Sequence, residues 1–184
     1  MRKLLTLLVI IIVTAGAYFY GLQQGANSVP HPLNAGSWQV FYSPRGGCTA
    51  AVVKELDAAK SNILVQAYSF TSDAIAGALV DAHKRGVKIT VILDRSAKTD
   101  KYTEADFVAH AGIHTLIDAK HAIAHNKIMI IDGATVITGS FNFTKAAEEK
   151  NGENLLVIHD VEMAKRYTRN WEVHEGHSEE YGGR

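Results

Sequence analysis

His125-Asn126-Lys127-Ile128-Met129-Ile130-Ile131-Asp132-Gly133-Ala134-Thr135-Val136-Ile137-Thr138-Gly139-Ser140-Phe141-Asn142 is the stretch that decides how this chain folds. Branched apolar residues fill 128–131 and 135–138, and Asp-Gly-Ala lies between them, which predicts two strands joined as a hairpin. Upstream, short β-rich runs at 38–42, 63–70, 87–93 and 113–117 alternate with helical patterns. At 49–60, Val52, Val53, Leu56 and Ala59 recur at helical spacing. Ser72 and Asp73 can cap a helix with Ile75, Ala76, Leu79, Val80 and His83 on one face, ended by Gly86. A shorter helix is expected at 103–110. Downstream, 155–158 reads as a further strand, and Asp160 can cap a last helix carrying Ala164, Tyr167, Thr168 and Trp171. Repeated βα units followed by a hairpin imply an α/β fold: one mixed sheet sandwiched between helices in a single domain.

The same stretch carries the chemistry. Residues two apart on a strand project from one face, so His125 and Lys127 can present an imidazole and an ammonium side by side. That pair suits a phosphate, since one group attacks and the other neutralises charge. At the end of the neighbouring strand, Gly139 to Asn142 can bring the Ser140 hydroxyl and the Asn142 carboxamide to the same place. A lone His-x-Lys carries no information. The string His-x-Lys-x4-Asp-x6-Gly-Ser-x-Asn is far more specific, and it resembles the signature of the phospholipase D superfamily with every defining position filled. Phe143-Thr144-Lys145-Ala146-Ala147 and Glu153-Asn154 extend the likeness to the small bacterial Nuc-type endonucleases.

The resemblance covers roughly residues 38–171 and implies roles. His125 would attack phosphorus and form a phosphohistidine. Lys127 and Asn142 would hold the non-bridging oxygens, with Ser140 supporting the phosphate site. Glu153 would accept the Nδ1 proton of His125 and so fix its tautomer. Asp132, at a strand end before the turn, reads as structural, and Gly139 belongs to the motif. The expected reaction is metal-independent hydrolysis of phosphodiester bonds, on DNA and possibly RNA, with little sequence preference. A phospholipase D acting on phospholipid headgroups is the alternative. A non-catalytic nucleic-acid-binding module is the second, although a binder has no need of the His-Lys-Asn-Glu set. The resemblance also bears on assembly, because superfamily members with two motifs in one chain supply two histidines. This chain has one motif and no internal repeat, so a homodimer with a shared site is expected. His121 or His114 acting within one chain is the competing account.

The remaining sequence sets limits. Nineteen Lys+Arg balance nineteen Asp+Glu, and without Arg2 and Lys3 the balance is 17 to 19, a net −2. Such a chain lacks the basic excess of a protein that grips DNA through many phosphates, so affinity must be local. Arg2 and Lys3 precede an apolar run over 4–20. Residues 1–25 therefore read as a signal peptide or an inner-membrane anchor, and either puts the catalytic domain outside the cytoplasm, periplasmic or secreted. Residues 26–37 read as a linker, 38–175 as the catalytic domain and 176–184 as a flexible tail. Cys48, the single cysteine, excludes an intrachain disulfide and suits a packing role. The histidine pairs 121/125 and 174/177 lack accompanying carboxylates in sequence, so neither metal nor cofactor is expected. No exposed aromatic cluster of the kind that docks on lipid is evident.

Overall fold

A computed structural model of the chain describes residues 36–184. The leader over 1–25 and the linker up to residue 35 lie outside the described residues. Among the described residues, no helix is long and apolar enough to cross a membrane.

The elements follow the expected order. They are β1 (Ser37–Ser43), α1 (Cys48–Ala58), β2 (Asn62–Ala67), α2 (Asp73–Lys84), β3 (Lys88–Asp94), α3 (Ala105–His110), β4 (His114–Asp118), β5 (Lys127–Ile131), β6 (Thr135–Gly139), α4 (Lys145–Glu149), β7 (Glu153–His159), α5 (Val161–Glu175) and β8 (Glu179–Glu180). All eight strands form one sheet in the order β1-β7-β6-β5-β2-β3-β4-β8. β2, β3 and β4 are parallel, while β5, β6, β7 and β1 continue the sheet antiparallel from β2. The fold is thus the α/β fold with a mixed sheet that the alternation of strand and helix patterns implies.

Period-two alternation divides the sheet between two cores. Ile63, Val65, Val91, Met129, Ile131, Ile137 and Val157 point to the side of α1 and α2, where the larger core lies. Ile92, Ile128, Ile130, Val136 and Ile158 point to α5, whose Ala164 and Trp171 cover them. The Trp171 indole N–H donates to the Val65 carbonyl at 2.9 Å, so the polar end of this buried ring is satisfied. Side-chain caps set three helix starts: Ser72 accepts from the Ile75 N–H, Thr144 from the Ala147 N–H and Asp160 from the Met163 N–H. Helix α1 has no such cap of its own. Glu148 supplies one from a distance, accepting from the Gly47 and Thr49 N–H groups at 3.0 and 2.7 Å. Cys48 is fully buried; desolvation and the Glu148 charge push its thiol up to about 11, which makes it a packing residue and not a nucleophile.

Two expectations need correction. Residues 176–184 fold back onto the domain. β8 pairs with β4, the Tyr181 hydroxyl donates to Asp106 at 2.6 Å, and Arg184 forms an ion pair with the same carboxylate. The polar composition of the segment hid this, because its anchors lie about 65 to 80 residues back in the chain. An exposed aromatic stripe also exists. Trp38 and Tyr42 are 58% and 64% exposed on edge strand β1, with Val40 between them.

Asp132 sits at the β5–β6 turn in the left-handed region (φ 53). Its carboxylate accepts from the N–H groups of Lys60, Ser61 and Asn62 at 2.9, 2.8 and 3.0 Å and from the Ser61 hydroxyl at 2.7 Å. The turn is thereby tied to the start of β2, which fixes the register between β2 and β5. Burial raises the Asp132 carboxyl, but the bonds from Asn62, Ser61 and Lys60 outweigh it and hold the group below the ordinary aspartate range. Asp132→Ala should therefore cost about 1–2 kcal/mol in urea unfolding at pH 7, the exposure of the site screening part of the charge. The difference between wild type and variant should be full above the ordinary aspartate value of about 3.9. It should shrink as pH falls through the lower native value.

Candidate active site

Antiparallel pairing of β5 with β2 sets Lys127 opposite Ala67. The start of β5 therefore lies at the sheet edge where parallel β2, β3 and β4 end. The other antiparallel strands obey the same geometry. β6 ends at this edge with Gly139, β7 begins there with Glu153, and β1 ends there with Ser43 paired to Glu153. One edge of the sheet thus collects Lys127, Ser140, Glu153 and the loop that carries His125.

Lys127 is buried, while His125 is exposed in the preceding loop. The Lys127 ammonium donates to the His125 backbone carbonyl at 2.7 Å. It also lies 5.1 Å from the centroid of the Tyr68 ring, a cation–π distance. The Tyr68 ring in turn packs against the His125 imidazole, with centroids 4.5 Å apart and planes inclined by 53°. The three side chains form one stack. Burial lowers the Lys127 ammonium from the ordinary lysine range and the charge of Glu153 opposes that shift.

Ser140 and Glu153 are joined directly, the hydroxyl donating to Oε2 at 2.6 Å. Oε1 accepts from the Asn151 carboxamide at 3.2 Å. The Glu153 N–H donates to the Ser43 hydroxyl at 3.1 Å, and the Asn154 N–H donates to the Ser140 hydroxyl at 3.1 Å. Glu153 makes no hydrogen bond to His125 among the described residues. Asn142 is partly buried, and its Oδ1 is a buried atom without a protein partner. That oxygen can only accept, so it calls for a donor, whereas the Nδ2 group of the same carboxamide is the one able to donate to an anion. The neighbouring Phe143 pairs with Phe70, and the Tyr68 N–H donates to the Asn126 carbonyl at 2.8 Å. Segment 68–71 therefore bridges the two halves of the motif.

The two histidines considered as alternative acids sit elsewhere. His114 opens β4 at the opposite edge of the sheet, where its ring bonds Glu180 at 2.9 Å. The His121 imidazole is held against Asp118, with His174 and His177 beside it. The pairing of His121 with His125 weighed from sequence does not occur.

Sequence reasoning missed Tyr68, Ser43 and Asn151. Tyr68 directly follows a strand, but only the β2–β5 register shows that it meets His125 and Lys127. Ser43 and Asn151 act through backbone proximity, which residue type does not signal.

The mixed sheet thus carries a His-x-Lys strand start and a Gly-Ser-x-Asn strand end on one edge. The chain belongs to the phospholipase D superfamily: residues 52–174 match the family described as cardiolipin synthase, PLD-like domain. It is 43% identical over 130 residues to a phospholipase D of Rickettsia bellii, covering 71% of this chain and 65% of that protein. It is 30% identical over 141 residues to a mitochondrial cardiolipin hydrolase of Xenopus laevis, covering 71% of this chain and 67% of that protein. Among solved structures, the phospholipase D family member Nuc of Salmonella typhimurium superposes with a TM-score of 0.76 at 40% identity, covering 79% of this chain and 98% of that one. NucT of Helicobacter pylori shares the fold, with a TM-score of 0.73 at 22% identity.

Gly139 has φ +145, and a Cβ there would collide with the Asn154 backbone carbonyl. Gly139→Ala should cost roughly 2 kcal/mol or more in stability, read as a lowered midpoint in thermal or urea unfolding.

Proposed function

We propose that the chain is a metal-independent phosphodiesterase whose nucleophile is His125, and that it is a non-specific endonuclease on DNA, with RNA as a further candidate substrate. The observation that carries this reading is the stacked Lys127–Tyr68–His125 group on the edge that also holds the Ser140–Glu153 pair. In the first displacement, His125 Nε2 bonds to phosphorus as the P–O bond to the leaving oxygen breaks, and that oxygen takes a proton from a second group acting as acid. In the second, water attacks phosphorus, the P–N bond breaks to free His125, and the water proton passes to the same second group acting as base. Lys127 and the Asn142 amide hold the non-bridging oxygens, where charge grows in the transition state. Ser140 keeps the phosphate site in place through its bond to Glu153. A carboxylate has about four lone-pair positions, so Glu153 can also accept the Nδ1 proton of His125 and orient its ring. Likeness to Nuc over 98% of that chain supports a nuclease.

A phospholipase D is the second reading. The Rickettsia relatives carry that name, and the Trp38–Val40–Tyr42 stripe is an apolar surface fit to lie on lipid. Side-by-side turnover of plasmid DNA, RNA, an aryl phosphodiester and phosphatidylcholine separates the two. DNA cleavage well above phosphatidylcholine hydrolysis is expected, and the reverse ranking would replace the nuclease reading. His125→Ala should abolish turnover of every substrate while changing stability by about 1 kcal/mol or less. Lys127→Met should lower kcat by about a hundredfold or more. A His125→Ala enzyme retaining most activity would remove the nucleophile assignment.

Assembly follows from the need for a second proton-transfer group. We assign this role to His125 of the partner subunit across a two-fold axis; the bonds of His114 to Glu180 and of His121 to Asp118 favour it over an acid within one chain. The exposed stripe of edge strand β1 supports such a contact: Tyr42 pairs with Asn154, beside Ser140. Light scattering should give a dimer at micromolar concentration. A fully active monomer would exclude the shared site.

A further inference from the structure

Away from the catalytic stack, Asp118, His121, His174 and His177 place one ligand atom each within 4.8 Å of one another. They come from three places in the chain: the last residue of β4, the loop after it, and the end of α5 with its following turn. The Asp118 side chain is fully buried, those of His174 and His177 are 14% and 16% exposed, and that of His121 is 44% exposed. The three imidazole rings stand almost equidistant, with centroids 4.9, 5.2 and 5.3 Å apart.

Hydrogen bonding to the carboxylate accounts for two of the three rings. His174 Nδ1 makes a short contact with Asp118 Oδ2 at 2.7 Å. His121 Nδ1 straddles both oxygens at 3.1 and 3.3 Å, longer than a charge-assisted bond of about 2.7–2.9 Å. His177 Nε2 lies 3.3 Å from Oδ1, yet it is a buried atom with no hydrogen-bond partner. A divalent cation would take one lone pair from each imidazole and one from the carboxylate, and would give the buried His177 Nε2 the partner it lacks.

We propose that these four residues bind a structural divalent transition-metal ion of the zinc class. Three nitrogens and one oxygen suit a tetrahedral borderline ion. Metal–ligand bonds of about 2.0–2.2 Å put tetrahedral donors roughly 3.3–3.5 Å apart, so the present spacing needs only small side-chain adjustments. Four protein ligands fill the coordination sphere, which marks a structural site and not a catalytic one. The ion clips the turn after α5 to the end of β4, and through His121 it holds the loop that reaches His125 four residues later. That loop is already fastened by Ala124 N–H to Asp94 at 2.7 Å and by Arg95 to the Ala122 carbonyl at 2.7 Å. The proposal stands whether or not His125 is the nucleophile.

The test uses the full chain without a polyhistidine tag, purified without chelator and probed with zinc alone. Elemental analysis should find about one zinc per chain, and cobalt exchanged into the site should show the intense visible bands of tetrahedral coordination. Zinc at a hundredfold excess over its Kd should raise the Tm of the stripped chain by roughly 5–10 °C. His121→Ala alters an exposed side chain and should fold; it should lose at least tenfold in zinc affinity, and the double variant His174→Ala/His177→Ala should lose binding altogether. A chain with no bound zinc and no Tm response would overturn the proposal, as would His121→Ala binding zinc at full strength. Metal content and Tm report on this site without reference to turnover, so this reading and the phosphodiesterase reading fail separately.

Discussion

The pairing of β5 against β2 is the constraint on which the rest of the molecule depends. Three parallel strands would by themselves put only strand ends at one edge. Joining β5 antiparallel to β2 adds a strand start to that edge, and the chain of antiparallel pairs through β6, β7 and β1 adds an end, a start and an end. Residues more than a hundred positions apart, such as Ser43 and Glu153, thereby become neighbours. The Asp132 carboxylate locks this arrangement from the opposite edge by tying the β5–β6 turn to the start of β2. A shift of one residue in the β2–β5 register would turn Lys127 to the other face of the sheet.

Burial and polarity are balanced tightly along the reactive edge. Lys127 is a buried cation, tolerable because its ammonium has a carbonyl, an aromatic face and a nearby carboxylate. Its hydrogen bond to the His125 backbone also couples the position of the charge to the loop bearing the imidazole. Ser140 takes part in bonds to both Glu153 and Asn154, so the end of β6 and the start of β7 move as one unit. Gly139 permits that approach, since any side chain there would meet the Asn154 carbonyl. The Asn142 amide oxygen is left without a protein donor among the described residues.

The neighbouring end of β4 shows the same economy of placement. Asp94 and Asp118 are opposite one another at the ends of β3 and β4, and both carboxylates face the loop that runs to His125. Asp94 accepts from the Ala124 N–H and the Ser96 N–H, and these bonds with the Arg95 charge hold it below the ordinary aspartate range against the effect of burial. Asp118 gathers the histidines. The loop between β4 and β5 is therefore anchored along its length by carboxylates at strand ends, as a loop must be if it is to present a reactive side chain at a fixed position.

Local pattern was enough for much of this. The alternation of branched runs and helical spacing gave the strands, the capped helices and a mixed sheet, because hydrophobic period and cap chemistry act over a few residues. The string from His125 to Asn142 pointed to one edge of the sheet for a similar reason: a hairpin sets Lys127 at a strand start beside Gly139 at the neighbouring strand end, with His125, Ser140 and Asn142 in the adjoining loops. Contacts that depend on pairing across the sheet were decided only by the tertiary structure. Tyr68 stacks on His125 and Lys127 through the register of β2 with β5. The segment after α5 is ordered by partners on β4 and α3. The histidines at 121, 174 and 177 looked like unrelated pairs, since their spacing in sequence conveys nothing about a carboxylate at 118 until α5 packs across the sheet and brings its end to β4. Sequence reads geometry within one element; the meeting of residues from different elements is set by packing and register, which no short pattern encodes.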